Sequence, residues 1–139
     1  MRVEAFLVAN QAAVDSSLLH MQGGGWETYK VPWFPGTVRG SVAGIVTFDH
    51  EELGSSPVLR LEVTDSEGQV EGSKASMIVD TSRPTDIPGV SSRVPFVLPF
   101  SLVVHASTVI KAAIFDAGAE LAAVTFAVPD PVPDTPPVG

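Results

Sequence analysis

The stretch VLRLEVT, residues 58–64, decides the fold class. Leu59, Leu61 and Val63 fall on one side, and Arg60, Glu62 and Thr64 on the other. A side-chain period of two belongs to a strand with one face buried and one wet. The next residues, Asp65-Ser66-Glu67-Gly68, form a turn with Gly at its end, so a hairpin is predicted. Its return strand is Gln69–Val79, with Ala75, Met77 and Val79 on one face.

The same alternation recurs on both sides. Across Val38–Phe48, Val38, Val42, Val46 and Phe48 share a face with Gly40 and Gly44, while Arg39, Ser41, Ala43 and Thr47 take the other. Across Val94–Val104, Val94, Phe96, Leu98, Phe100, Leu102 and Val104 share a face. Pro95 and Pro99 lie opposite, which places this strand at a sheet edge or breaks it at Pro99. Val109–Phe115 and Leu121–Val128 flank Asp116-Ala117-Gly118-Ala119, a second hairpin. Arg2–Ala9 reads as a buried first strand and Asn10–Ser17 as a polar turn. About eight short strands without a convincing helix predict an all-β protein. The architecture expected is an antiparallel β-sandwich, immunoglobulin-like or related. Leu59, Leu61, Val63, Phe96, Phe100, Ile114 and Phe126 are its expected core.

Leu18–Phe34, LLHMQGGGWETYKVPWF, holds both tryptophans, the one tyrosine and three consecutive glycines. Glycine has no side chain to pack across strands, so the triplet predicts a bend. On this reading Leu18–Gln22 and Trp26–Phe34 are two strands joined by that bend, and Trp26 packs on the core. The alternative is a glycine-floored pocket in which Trp26, Tyr29 and Trp33 form a platform for a sugar or another small ligand.

Composition sets further bounds. The 139 residues suit a single domain over 1–128, followed by a proline-rich, acidic tail over 129–139. A hydrophobic content of 45% is too high for a disordered chain. The formal charge of −8 and scattered basic residues argue against nucleic acid and against an anionic membrane surface. No run is long and apolar enough to insert in a membrane as a helix. The absence of cysteine excludes disulfides and thiol catalysis. No secretory signal is evident in MRVEAFLVANQAAVD, and a cytoplasmic location is expected.

Chemistry-bearing residues are sparse. Asp49-His50-Glu51-Glu52 is the densest set of potential metal ligands, but its spacing matches no metal motif and it reads as a solvated loop. His105, Ser107 and Asp116 supply the side chains of a catalytic triad, without the G-x-S-x-G elbow. Glu62, Asp65, Glu67 and Glu71 crowd the first hairpin, where acids ordinarily face solvent. No catalytic residue, cofactor or metal site is therefore assigned. Asp80–Arg93 is the longest irregular stretch, a length that often carries contact function. Arg83 and Asp86 within it are candidate contact residues, together with Trp26, Tyr29 and Trp33.

Four segments recur in a telling order: AFLVAN (5–10), GGGW (23–26), PFVLPF (95–100) and a late hairpin with a Phe-Asp-x-Gly turn (115–118). This order resembles a family of uncharacterised small bacterial proteins. In that family an Ala- and Leu-rich first strand precedes a Gly-Gly-Trp segment, and a late hairpin carries an Asp-Gly-type turn. Ala5, Phe6, Leu7, Gly24, Gly25, Trp26, Pro95, Phe96 and Asp116 carry the likeness over most of Met1–Val128. Asp116-Ala117-Gly118 departs from a direct Asp-Gly. The resemblance implies a β-sandwich and a bacterial source, and no activity. The functional expectation is a non-enzymatic module that works by protein contact or self-association. The ligand-binding platform is its alternative.

Overall fold

Strands with one apolar face are stable only when two such faces meet. In the computed structural model they meet as two four-stranded antiparallel sheets. The structure describes residues 1–52, 54–67, 70, 73–81 and 91–132. The strands are β1 (Arg2–Asp15), β2 (Leu18–Gly24), β3 (Gly36–Phe48), β4 (Val58–Asp65), β5 (Ser73–Ile78), β6 (Ser92–Val104), β7 (Thr108–Asp116) and β8 (Ala119–Val128). One sheet has the order β2-β1-β3-β6, the other β5-β4-β7-β8. The fold is the expected all-β sandwich, and no helix among the described residues is long and apolar enough to cross a membrane.

The core lies between the sheets. All seven residues expected to face inward do so, joined by Val38, Val42, Val46, Leu98, Leu102 and Ile110. The glycines of β3 are notches for aromatic rings. A Cβ at Gly44 would lie 2.6 Å from Phe96 Cζ, and one at Gly40 would strike the Trp26 ring. Each glycine lets a bulky ring lie against the sheet backbone. A bulge between Val3 and Ala5 resets the phase of β1, so that Val3 and Phe6 both pack on the core. β6 is an edge strand, and its ladder with β3 runs unbroken past Pro95 and Pro99.

Three local expectations need correction. Asn10–Ser17 is not a turn: β1 continues to Asp15, and only Ser16 and Ser17 turn. The ladder to β2 pairs Ala12 with Met21 and Val14 with Leu19, which extends the strand through the polar residues. Trp26–Phe34 is not a strand. Pro32 and Pro35 lack the N–H a ladder needs, and the segment instead crosses from one sheet to the other. Gly25 N–H donates to Val8 of β1, then Tyr29 N–H donates to Ala127 of β8. The turn expected over Asp65–Gly68 and the return strand expected from Gln69 lie partly outside the described residues, within which β4 and β5 pair from Val58 opposite Ile78 to Val63 opposite Ser73. Between these strands Val70 forms a bridge with Val104. Ser92 and Arg93, expected in the irregular stretch, already belong to β6.

Candidate functional site: the β1–β2 arm

The aromatic segment divides into a plug and an outlier. Trp26 lies edge-on to Phe126 at 5.3 Å and to Phe100 at 6.1 Å, and tilts against Tyr29 at 4.8 Å. Its Nε1–H donates to Asn10 Oδ1 and to the Gly23 carbonyl, both at 2.9 Å. One indole thus ties β1 to β2 and touches β6 and β8, sealing this end of the sandwich. Gly23 makes the arrangement possible. Its φ is +62°, and a Cβ there would strike the Asn10 amide. The expected bend is shorter than the triplet: Gly23 and Gly24 still belong to β2, with Gly24 opposite Ala9, and the chain bends at Gly25, whose φ is +82°. Tyr29 is half-buried in the same cluster. Trp33 stands apart, 68% exposed. Of the five candidate contact residues, the structure therefore brings together Trp26 and Tyr29. Arg83 and Asp86 lie outside the described residues.

The candidate chemistry disperses. His50, Glu51 and Glu52 form a single 3₁₀ turn. There the N-terminal ammonium binds Glu52 Oε2, and Asp49 N–H donates to Glu52 Oε1 at 3.1 Å. The ammonium's hydrogen bond holds the Glu52 carboxyl below its ordinary range, against a weaker upward push from burial. Asp49 accepts from the Ser91 hydroxyl at 2.8 Å. Among the described residues no three His, Asp or Glu are grouped to share a metal ion. His105 and Ser107 lie before β7 and Asp116 at its far end, roughly 25–30 Å away along an extended strand. Those three residues do not form a triad. Glu62 sits between Arg60 and Lys74, at 3.4 and 3.9 Å, and Asp65 accepts from the Thr108 hydroxyl at 2.8 Å.

The sequence reading missed the feature that stands out beyond the Trp26 plug. Past Ala9 the register of β1 is with β2 alone, because its pairing with β3 stops at Ser41. The two strands continue as an arm to the turn at Ser16-Ser17. On one face Ala12 meets Met21 and Val14 meets Leu19; on the other Gln11 meets Gln22 and Ala13 meets His20. The apolar face continues the side on which Val8 enters the core. On this face Val14 is 44% and Met21 40% exposed; on the other, opposite Asp15, Leu18 is 63% exposed. A groove of about 740 Å³ runs along the arm, lined by Ala12, Ala13, Leu19, His20, Met21 and Ser41 among others. One signal for the arm was present in the sequence: Ala12 and Val14 mirror Leu19 and Met21 about a central pair of serines.

Compared with protein-family models, with curated proteins and with solved structures, the chain matches none of them.

Proposed function

We propose that this chain is a non-enzymatic β-sandwich module that works by protein contact, and that the β1–β2 arm is its contact element. The observation that carries this reading is the arm's uncovered apolar surface. Large side chains at the tip of a two-stranded projection gain little from the fold that bears them, because a hairpin alone is marginal in water. Exposed apolar surface of this kind is characteristic of protein contact sites. The ligand-platform alternative has weaker support. Trp26 and Tyr29 spend their faces on each other and on Phe100 and Phe126, and Trp33 is not stacked with them. The reading includes a cytoplasmic setting, for which a cysteine-free chain is suited.

A photo-crosslinking residue at Leu18, compared with one at the exposed Val109 of the sandwich, tests the proposal in native extract. Defined protein adducts from position 18 and none from position 109 are expected. Equal labelling from both positions, or none from either, overturns the assignment of the arm.

A further inference from the structure

Every open sheet has edges, and an edge strand offers unpaired N–H and C=O groups unless something blunts it. Among the described residues the edge strands are β2 and β6 in one sheet and β5 and β8 in the other. β6 carries Pro95 and Pro99, which lack donors, and Val70 bridges its last residue, Val104. β8 is flanked by Glu27–Tyr29, whose main chain bonds Ala127 in both directions. β5, six residues long among those described, carries Lys74. β2, Leu18–Gly24, has none of these devices: LLHMQGG contains no proline, no lysine and no acid.

The turn fixes which groups β2 offers. Asp15 and Leu18 flank a two-residue turn, so this pair exchanges hydrogen bonds across the hairpin. Bonding direction alternates along an antiparallel strand. Leu18 and His20 therefore bond to β1, while Leu19 and Met21 turn their N–H and C=O to the open side. Charge favours one partner for them. The chain carries −8, yet β2 carries no formal charge with His20 neutral. Two copies that repel elsewhere meet least repulsion along this edge. A strand paired antiparallel with its own copy also closes a two-fold axis without any second surface.

We propose that the β2 edges of two copies pair antiparallel through the outward groups of Leu19 and Met21. The two β2-β1-β3-β6 sheets then become one continuous sheet across the two-fold axis. The contact also shields Leu18 and Met21. The inference rests on the reading of the arm as the contact element, and names its occupant as a second copy of this chain. An interface of one strand pair is small, so the dimer dissociates on dilution through the micromolar range.

Light scattering and amide exchange on the purified protein test this. At high micromolar concentration the mass should be twice 14.6 kDa, falling to the single mass on dilution. Met21→Pro removes an outward donor without touching the bonds to β1, and should weaken association at least tenfold. Should that variant not fold, the wild-type amides decide. Those of Leu19 and Met21 should gain protection as concentration rises, while Leu18 and His20 are protected throughout. A single-chain mass at every concentration overturns the self-pairing. So does a dimer that leaves Leu19 and Met21 amides unprotected. If the mass stays single while crosslinks from Leu18 reach a different protein, the self-pairing falls and the contact function stands; if both fail, both fall.

Discussion

The β1–β2 and β7–β8 hairpins close with the same backbone device. Ser16 and Ser17 have φ of 52° and 60°; Ala117 and Gly118 have φ of 49° and 85°. Both are two-residue turns of the hand that matches strand twist. Their surroundings differ. Behind the second turn, Ile110, Ala112, Ile114 and Phe126 are buried against the opposite sheet. Behind the first, Val14, Leu18 and Met21 stand in solvent. The turn fixes the register in each case, but apolar cover decides whether a hairpin belongs to the cooperative core or projects from it.

The largest effect that distinguishes them is truncation of a ring. Phe126→Ala, in β8, should cost about 3–5 kcal/mol in urea denaturation, through lost burial and the cavity left beside Trp26. Leu18→Ala, in the arm, should change the stability of the dilute monomer by less than about 0.5 kcal/mol. A loss at Leu18 approaching that at Phe126 would show that the arm tip is covered in the monomer, and the comparison would break.

The two hairpins were also unequally legible in sequence. Asp116-Ala117-Gly118-Ala119 has the Gly that positive φ favours, between two alternating runs, and its position was plain. Ser16-Ser17 has no Gly or Asn, and serine rarely adopts positive φ. Gln11 and Asp15 looked like turn residues because their alternating partners are across the hairpin, in Leu18–Gln22. The core was legible because Leu59, Leu61, Val63, Phe96 and Phe126 each sit in a run whose own period reports the buried face. Trp26–Phe34 was misread as a strand for the converse reason. Its Trp26 packs on Phe100 and Phe126, which are distant in sequence, and no local period records a crossing between sheets. The seat of Trp26 on Gly40 was equally hidden, since a glycine in an alternating strand reads only as a missing side chain.

A medium effect comes from the root of the arm. Gly40→Ala places a Cβ against the Trp26 ring and 2.9 Å from the Ala9 carbonyl, so the ring or β1 must shift. A loss of about 1–3 kcal/mol is expected from such overpacking. Trp26 emission should move to the red, and the arm amides should exchange faster. Gly118→Ala in the other hairpin meets nothing within 4 Å and incurs only the strain of φ +85°. Its cost should be near 1 kcal/mol, without a change in tryptophan emission. Equal emission shifts in the two variants would separate Trp26 from the arm root.

The smallest effect is the most discriminating. Replacing Ser16-Ser17 by Asn-Gly supplies the residues that a turn with two positive φ angles prefers, as does Ala117→Asn in the other hairpin. Each change should relieve about 0.5–1 kcal/mol of local strain. The gain should be read in different observables. The β7–β8 turn belongs to strands that separate only when the sandwich unfolds, so Ala117→Asn should raise the urea midpoint. The arm can open while the sandwich stays intact, because only β2 and the Trp26 indole hold its outer part. Ser16→Asn with Ser17→Gly should therefore slow exchange of the Leu18 and His20 amides severalfold and leave the midpoint almost unchanged. Both measurements belong at a concentration where the chain is monomeric, so that pairing of β2 edges does not protect the arm. A midpoint that rises as much for the Ser16-Ser17 replacement as for Ala117→Asn would mean that the arm unfolds with the core. The contrast in cover between the hairpins would then have no counterpart in their stability.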